Sequence, residues 1–159
     1  MKYVLKNFLI FCVVFTIYMC IEGIWKTFVS PGGVQSFTMG FLGGFAILFI
    51  GQLNRWFTFE MPLVLQAFIG GVFITLCEFV SGLILNVWLG LGIWDYSSMP
   101  LNVMGQICIP FTLAWMALAI VAILVDDYLR YVVYGEEKPH YHIFKWGSKN
   151  NSCESIVSL

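Results

Sequence analysis

The chain has 159 residues, 60% of them hydrophobic and only 11% charged, with a net charge of -1. A soluble domain of this size would carry about a quarter charged residues and could not hide so much apolar surface. An ordinary soluble domain is excluded, and one compact membrane domain with the lipid bilayer as its main partner is expected. The net charge itself argues neither for nor against nucleic acid, and no nucleic-acid partner is expected.

At the N-terminus Lys2 and Lys6 precede the apolar run 8–21. No small-x-small cleavage pattern follows, and Met19 stands before Cys20 where a lipoprotein site would need a small residue. The run is therefore expected to be a retained first span and not a removed leader. The five cysteines are Cys12, Cys20, Cys77, Cys108 and Cys153. Their odd count and their spacing fit neither a disulfide framework nor a zinc site, so small packing residues and no metal are expected.

Four apolar runs are long enough to cross a hydrocarbon core of about 30 Å, which takes roughly 20 helical residues. They lie at about residues 7–25, 37–53, 61–85 and 103–125. The runs lack period-two alternation and are about twice too long for barrel strands, so helices are expected. The fold class predicted is an all-α, four-helix transmembrane bundle. Pro62 opens the third run at a position where a helix start tolerates proline. Lys2 and Lys6 precede span one, Arg55 separates spans two and three, and Arg130, Lys138, Lys145 and Lys149 follow span four. Only Lys26 falls on the other side, so the positive-inside rule predicts both termini in the cytoplasm and a multi-pass protein of the cell membrane. The fourth helix should run on through the headgroup layer with tyrosines as anchors. Gly135 should stop it, and Pro139 prevents its resumption. This divides the chain into a transmembrane domain, 1–135, and a cytoplasmic tail, 136–159, polar and partly disordered from Gly147 on.

Between helices in lipid, small and polar residues mark the contacts. Span two carries Gly40, Gly44, Gly51 and Asn54 along one side, with Gly43 beside them. Span three carries Gly71, Thr75, Glu78, Gly82 and Asn86, which at 100° per residue fall within an arc of about 80°. Span one sets Phe11, Phe15, Tyr18 and Glu22 on one face. Span four begins near Gln106 and carries Pro110, a candidate kink.

Glu78 is the feature around which a site would be built. Neither Lys nor Arg occurs anywhere from residue 56 to 129. A charged side chain in mid-membrane costs about 2.5 to 3.5 kcal/mol on insertion scales. Glu78 should lie about 10 Å below the outer boundary. It can stay protonated, accept hydrogen bonds from Gln106, Asn102 or loop amides, or bind a cation. Two readings stand: an acid that clamps loop to helix, or one that works in a polar cavity. The loop that follows holds Trp88, Trp94 and Tyr96 but a single charge, Asp95. Such a loop should lie in the interface or fold back over the bundle, where protein covers its backbone. Glu22, Glu78, Asp95, Asn102 and Gln106 would then converge in the outward half, with Asn86 and Thr75 on the same face of span three. Connection 27–38, with Pro31-Gly32-Gly33, would be a second lid. Glu22 and Lys26 are spaced for a helical ion pair, expected at the surface.

No Walker A, Gly-x-Ser-x-Gly or His-Glu-x-x-His pattern occurs, so no catalytic residue and no cofactor is expected. His140 and His142 form a His-x-His pair, too little for a metal site.

Several strings resemble one bacterial family of small membrane proteins. They include MPLVLQAFIGG at 61–71, Glu78-Phe79 with Ser81-Gly82, and Asn86-Val87-Trp88-Leu89-Gly90-Leu91. Trp94-Asp95-Tyr96-Ser97, Pro100-Leu101-Asn102 and Gly105-Gln106-Ile107-Cys108 continue the match. Asp126-Asp127-Tyr128-Leu129-Arg130 and GEEKPHY at 135–141 complete it. The chain is similar, over about residues 40–144, to the putative ABC-transporter type IV (CmpB-like permease) family. The resemblance implies a permease subunit moving an unknown solute, with a separate ATPase subunit docking on the tail or on an oligomer. The only inward loop, 54–60, is too short for a coupling helix, and four helices are few for a complete pathway, so a homo-oligomer or a partner is expected. A non-transporting accessory or scaffold protein is the alternative.

Overall fold

Hydrophobic runs of this length can bury their backbone polar groups in lipid only by forming helices, and four helices result. The structure, a computed structural model, describes residues 2–28, 37–57, 59–144 and 156–158. α1 spans Lys2–Phe28, α2 Phe37–Phe57, α3 Leu63–Gly82 and α4 Ile109–Tyr134. All four are long and apolar enough to cross a membrane. The all-α four-helix architecture is as predicted. The second lid, 27–38, lies largely outside the described residues, as does most of the tail beyond residue 144.

Helix boundaries move where local chemistry overrides hydropathy. α4 begins at Ile109 and not near 103. Residues 102–108 instead form a small hairpin, β1 Asn102–Val103 against β2 Ile107–Cys108, with Asn102 opposite Cys108. Leu101, Met104 and Gly105 all have positive φ, which a right-handed helix cannot accommodate. Pro110 stands in the first turn of α4, where no helical hydrogen bond is lost, so it starts the helix and does not kink it. At the other end Gly135 adopts the left-handed conformation at φ 65 and stops α4, as predicted. α3 does not end at Gly82 but widens into a π-helical turn, Leu83–Trp88. Beyond it the loop folds back over the bundle.

The bundle therefore has a loop end, capped by residues 89–108, and a tail end, where residues 135–144 gather. α2, α3 and α4 pack together, and α1 packs along α2 with no comparable contact elsewhere. The α1–α2 seam sets rings on glycines. A Cβ at Gly44 would lie 2.5 Å from Phe11, one at Gly40 2.8 Å from Phe15, and one at Gly43 3.1 Å from Tyr18. The two faces read from the sequence meet each other. Gly70 and Gly71 make the equivalent approach to Ala119 and Met116 of α4. The buried apolar core lies toward the tail end, where Ile50, Ala119 and Ile123 meet Phe59 and Tyr141. Tyr141 belongs to β3, His140–His142, which pairs antiparallel with β4, Ile156–Ser158.

Candidate functional site

Glu78 lies on the face of α3 that α4 covers and is only 3% exposed. Oε1 accepts a hydrogen bond from the Tyr96 hydroxyl at 2.9 Å, and Oε2 accepts one from the Trp115 indole N–H at 2.8 Å. Each carboxyl oxygen therefore has one donor. These are not the expected partners. Gln106 and Asn102 are occupied in building the loop. Gln106 Oε1 accepts from Asn86 Nδ2 at 2.9 Å, and Gln106 Nε2 donates to the Met104 carbonyl at 3.0 Å. Asn102 donates to the Ser97 and Met99 carbonyls and accepts from the Gly105 N–H.

Asn86, within the π-helical turn, ties it to the loop. Its side-chain oxygen accepts the Ile93 N–H at 2.7 Å, and its amide also reaches the Trp94 carbonyl at 3.1 Å. Trp94 Nε1 donates in turn to the Gln106 carbonyl at 3.0 Å. These bonds press the loop onto the helix ends, and π turns are frequent at functional sites. They place Tyr96 directly over Glu78, with its ring stacked on Phe111 at 4.6 Å. Burial, and then the adjacent Glu78 charge, push the Tyr96 phenol well above its ordinary value.

A cavity of 390 Å³ opens beside this pair, lined by Tyr18, Glu22, Lys26, Glu78, Tyr96 and Trp115, among others. Asp95 also lines it, exposed at the mouth. Ser97 donates to Asp95 Oδ1 from its hydroxyl at 2.6 Å and its backbone N–H at 2.8 Å, and these bonds hold the carboxyl below its ordinary value. Glu22 and Lys26 form the expected i,i+4 ion pair at 3.2 Å. The pair is not a surface pair, however: Glu22 is 8% exposed, and Lys26 also reaches the Ile93 carbonyl at 3.4 Å. The last turns of α1 lie beneath the loop, which brings a cation into the same cavity as Glu78. Thr75 is placed elsewhere. It donates to Thr112 Oγ1 at 3.3 Å in the α3–α4 seam. Glu22, Glu78 and Asp95 thus share the cavity, while Asn86, Asn102 and Gln106 form the frame above it.

Residues 7–144 match the model of the family described as "Putative ABC-transporter type IV". The chain belongs to that family. Comparison with curated proteins gives no match, and comparison with solved structures gives none. Membership in this ABC-transporter type IV family, together with four membrane-length helices, makes it a transporter-related membrane protein.

The same ABC-transporter type IV chain has a second polar cluster, which sequence reasoning missed. At the tail end Asp127 accepts from Asn54 Nδ2 at 2.5 Å and from the Tyr141 hydroxyl at 2.9 Å. Arg130 Nε donates to Asp126 Oδ2 at 2.6 Å, and Arg130 also reaches Asn7 at 3.3 Å. Asp126, Asp127 and Arg130 are all buried, not solvated in the headgroup layer. Gly51 leaves room for the Asp126 carboxylate, which a Cβ there would strike. The available signal was the Asp-to-Arg spacing of four, 126 to 130, beside Asn54 and Gly51 on span two. His140 and His142 lie on β3, with the His140 ring 5.0 Å from Phe59.

Proposed function

We propose that this protein is a permease subunit of the cell membrane that moves a solute through a polar site at its loop end, built on Glu78. The observation that supports this reading most is the cavity, where a membrane-embedded acid, an ion pair and an exposed acid face one space. Intramembrane acids are rare and usually functional. The positive-inside rule places both termini in the cytoplasm and the cavity at the outer side. Energy would come from a separate ATPase subunit. No inward loop is long enough for a coupling helix, so the partner would dock at the tail end, and two copies of the chain would complete the pathway.

The test is complementation. A deletion strain is supplied with wild type or Glu78→Gln, and depletion of solutes from the medium is compared at matched protein levels in the membrane. Wild type restores transport, and Glu78→Gln reduces it at least tenfold. A second reading, an accessory or scaffold protein, is favoured by one observation: both oxygens of Glu78 already have donors. Full complementation by Glu78→Gln would decide for it.

A further inference from the structure

Among the described residues, α1 is tied to the rest of the bundle near both ends. At the tail end Lys6 pairs with Glu136 at 3.3 Å and lies over the Tyr134 ring, and Asn7 meets Arg130. At the loop end Lys26 reaches the Ile93 carbonyl. The two lysines are about 30 Å apart along the helix. Between them α1 leans on α2, and a groove of 300 Å³ opens toward α4. Its walls are almost wholly apolar. Ile17, Leu118 and Val121 flank it, and each is about half exposed. The groove and the polar cavity adjoin, and Tyr18, Met39, Glu78, Trp115 and Leu118 line both.

We infer that the transported molecule is an amphiphile with a cationic ammonium head and an apolar chain, entering sideways from the membrane. The inference rests on the transport reading above and names its substrate class. The head site carries three acids, Glu22, Glu78 and Asp95, against one base, Lys26. Tyr18, Trp94, Tyr96, Phe111 and Trp115 surround the same space. Acid together with aromatic faces is the chemistry that recognises an ammonium group. An anionic head would meet the acids unfavourably. The groove takes the chain: from Trp115 to Val125 it runs about 15 Å along α4, the reach of a medium-length alkyl chain. A wholly polar solute would leave that length of groove unused.

The experiment compares two probes with the same photoreactive, diazirine-bearing dodecyl chain, one with a trimethylammonium head and one with a maltoside head. The full chain is held in nanodiscs, and labelled positions are mapped by mass spectrometry. The ammonium probe should label Ile17, Leu118 and Val121 at least fivefold more than the maltoside probe. Glu78→Gln should remove that excess. Val121→Trp should remove groove labelling while leaving helix content and thermal midpoint unchanged. Equal labelling by the two heads, an excess that survives Glu78→Gln, or exclusion of both probes by a second copy seated in the groove would overturn the inference. The two readings fail separately. Lost ammonium preference with transport still dependent on Glu78 sinks only the substrate class. Retained preference with full complementation by Glu78→Gln leaves a binding site and sinks transport.

Discussion

Tyr96→Phe isolates what one hydroxyl does for Glu78, because the ring would keep its stack on Phe111 while Oε1 loses its donor. A hydrogen bond contributes about 0.5 to 1.5 kcal/mol, and leaving its buried acceptor without a donor costs about 1 to 3 kcal/mol. The thermal midpoint in detergent should fall accordingly, and an unchanged midpoint would show that the bond is not made. The same variant has a pH signature. The folded phenol titrates above its ordinary value, first through burial and then through the Glu78 charge. Its contribution is complete below the unfolded value of about 10 and is lost as pH rises beyond it. Wild type should therefore lose stability in alkali more steeply than Tyr96→Phe. A steeper loss in the variant would contradict the assignment. Glu78 was legible in the sequence as a lone acid in an apolar run, but its partners were not. Tyr96 and Trp115 count as apolar in a hydropathy reading, yet each carries one donor, and those donors satisfy the acid. Gln106 and Asn102, which looked like better partners, are engaged with loop carbonyls and, for Gln106, with Asn86.

At the scale of helices, the glycines of α2 serve two neighbours with different tolerance for change. Gly44 faces the ring edge of Phe11, the far end of a side chain that can rotate away. Gly51 faces the carboxylate of Asp126, which Arg130 holds from the other side at 2.6 Å. Gly44→Ala should cost less than about 1 kcal/mol, because the ring gives way and alanine favours the helix. Gly51→Ala should cost about 1 to 3 kcal/mol, the ordinary range for overpacking, with the buried ion pair disturbed as well. Equilibrium unfolding of both variants in mixed detergent checks the order, and a larger loss at Gly44 would reverse it. The α1–α2 seam could be read in advance because small residues at helical spacing leave one packing solution in lipid. The start of α4 could not. The hairpin at 102–108 is nearly as apolar as a span, and what excludes it from the helix is backbone handedness at Leu101, Met104 and Gly105. Of those three only the glycine announces itself in the sequence. The buried Asp126–Arg130 pair was obscured for a similar reason. A charged stretch after an apolar run reads as the exit from the membrane. Here it turns inward, because Asn54 and Tyr141 supply donors that no linear pattern joins.

For the molecule as a whole, the two ends differ in how they hold charge. Among the described residues, the tail end gathers Lys6, Arg55, Arg130 and Lys138, and the loop end Lys26. If the positive-inside rule governs, the cavity opens outward and the Tyr141 contact is a cytoplasmic latch. Arg130 is buried against Asp126 and so lends less to the rule than its position implies. Cysteine labelling distinguishes the two orientations. In a background with the native cysteines replaced, Ser98→Cys in the exposed loop and Glu137→Cys in the exposed segment after α4 are treated with an impermeant maleimide. Ser98→Cys should react in intact cells, and Glu137→Cys only after permeabilisation. The reverse pattern would turn the cavity to the cytoplasm. The residues after α4 would then lie outside the cell, beyond the reach of a cytoplasmic ATPase. At the tail end Asn54, Asp127 and Tyr141 join α2, α4 and the segment after α4 at one point. Trp115 and the Glu78 bond it supplies lie on the same helix, about 18 Å along its axis from Asp127.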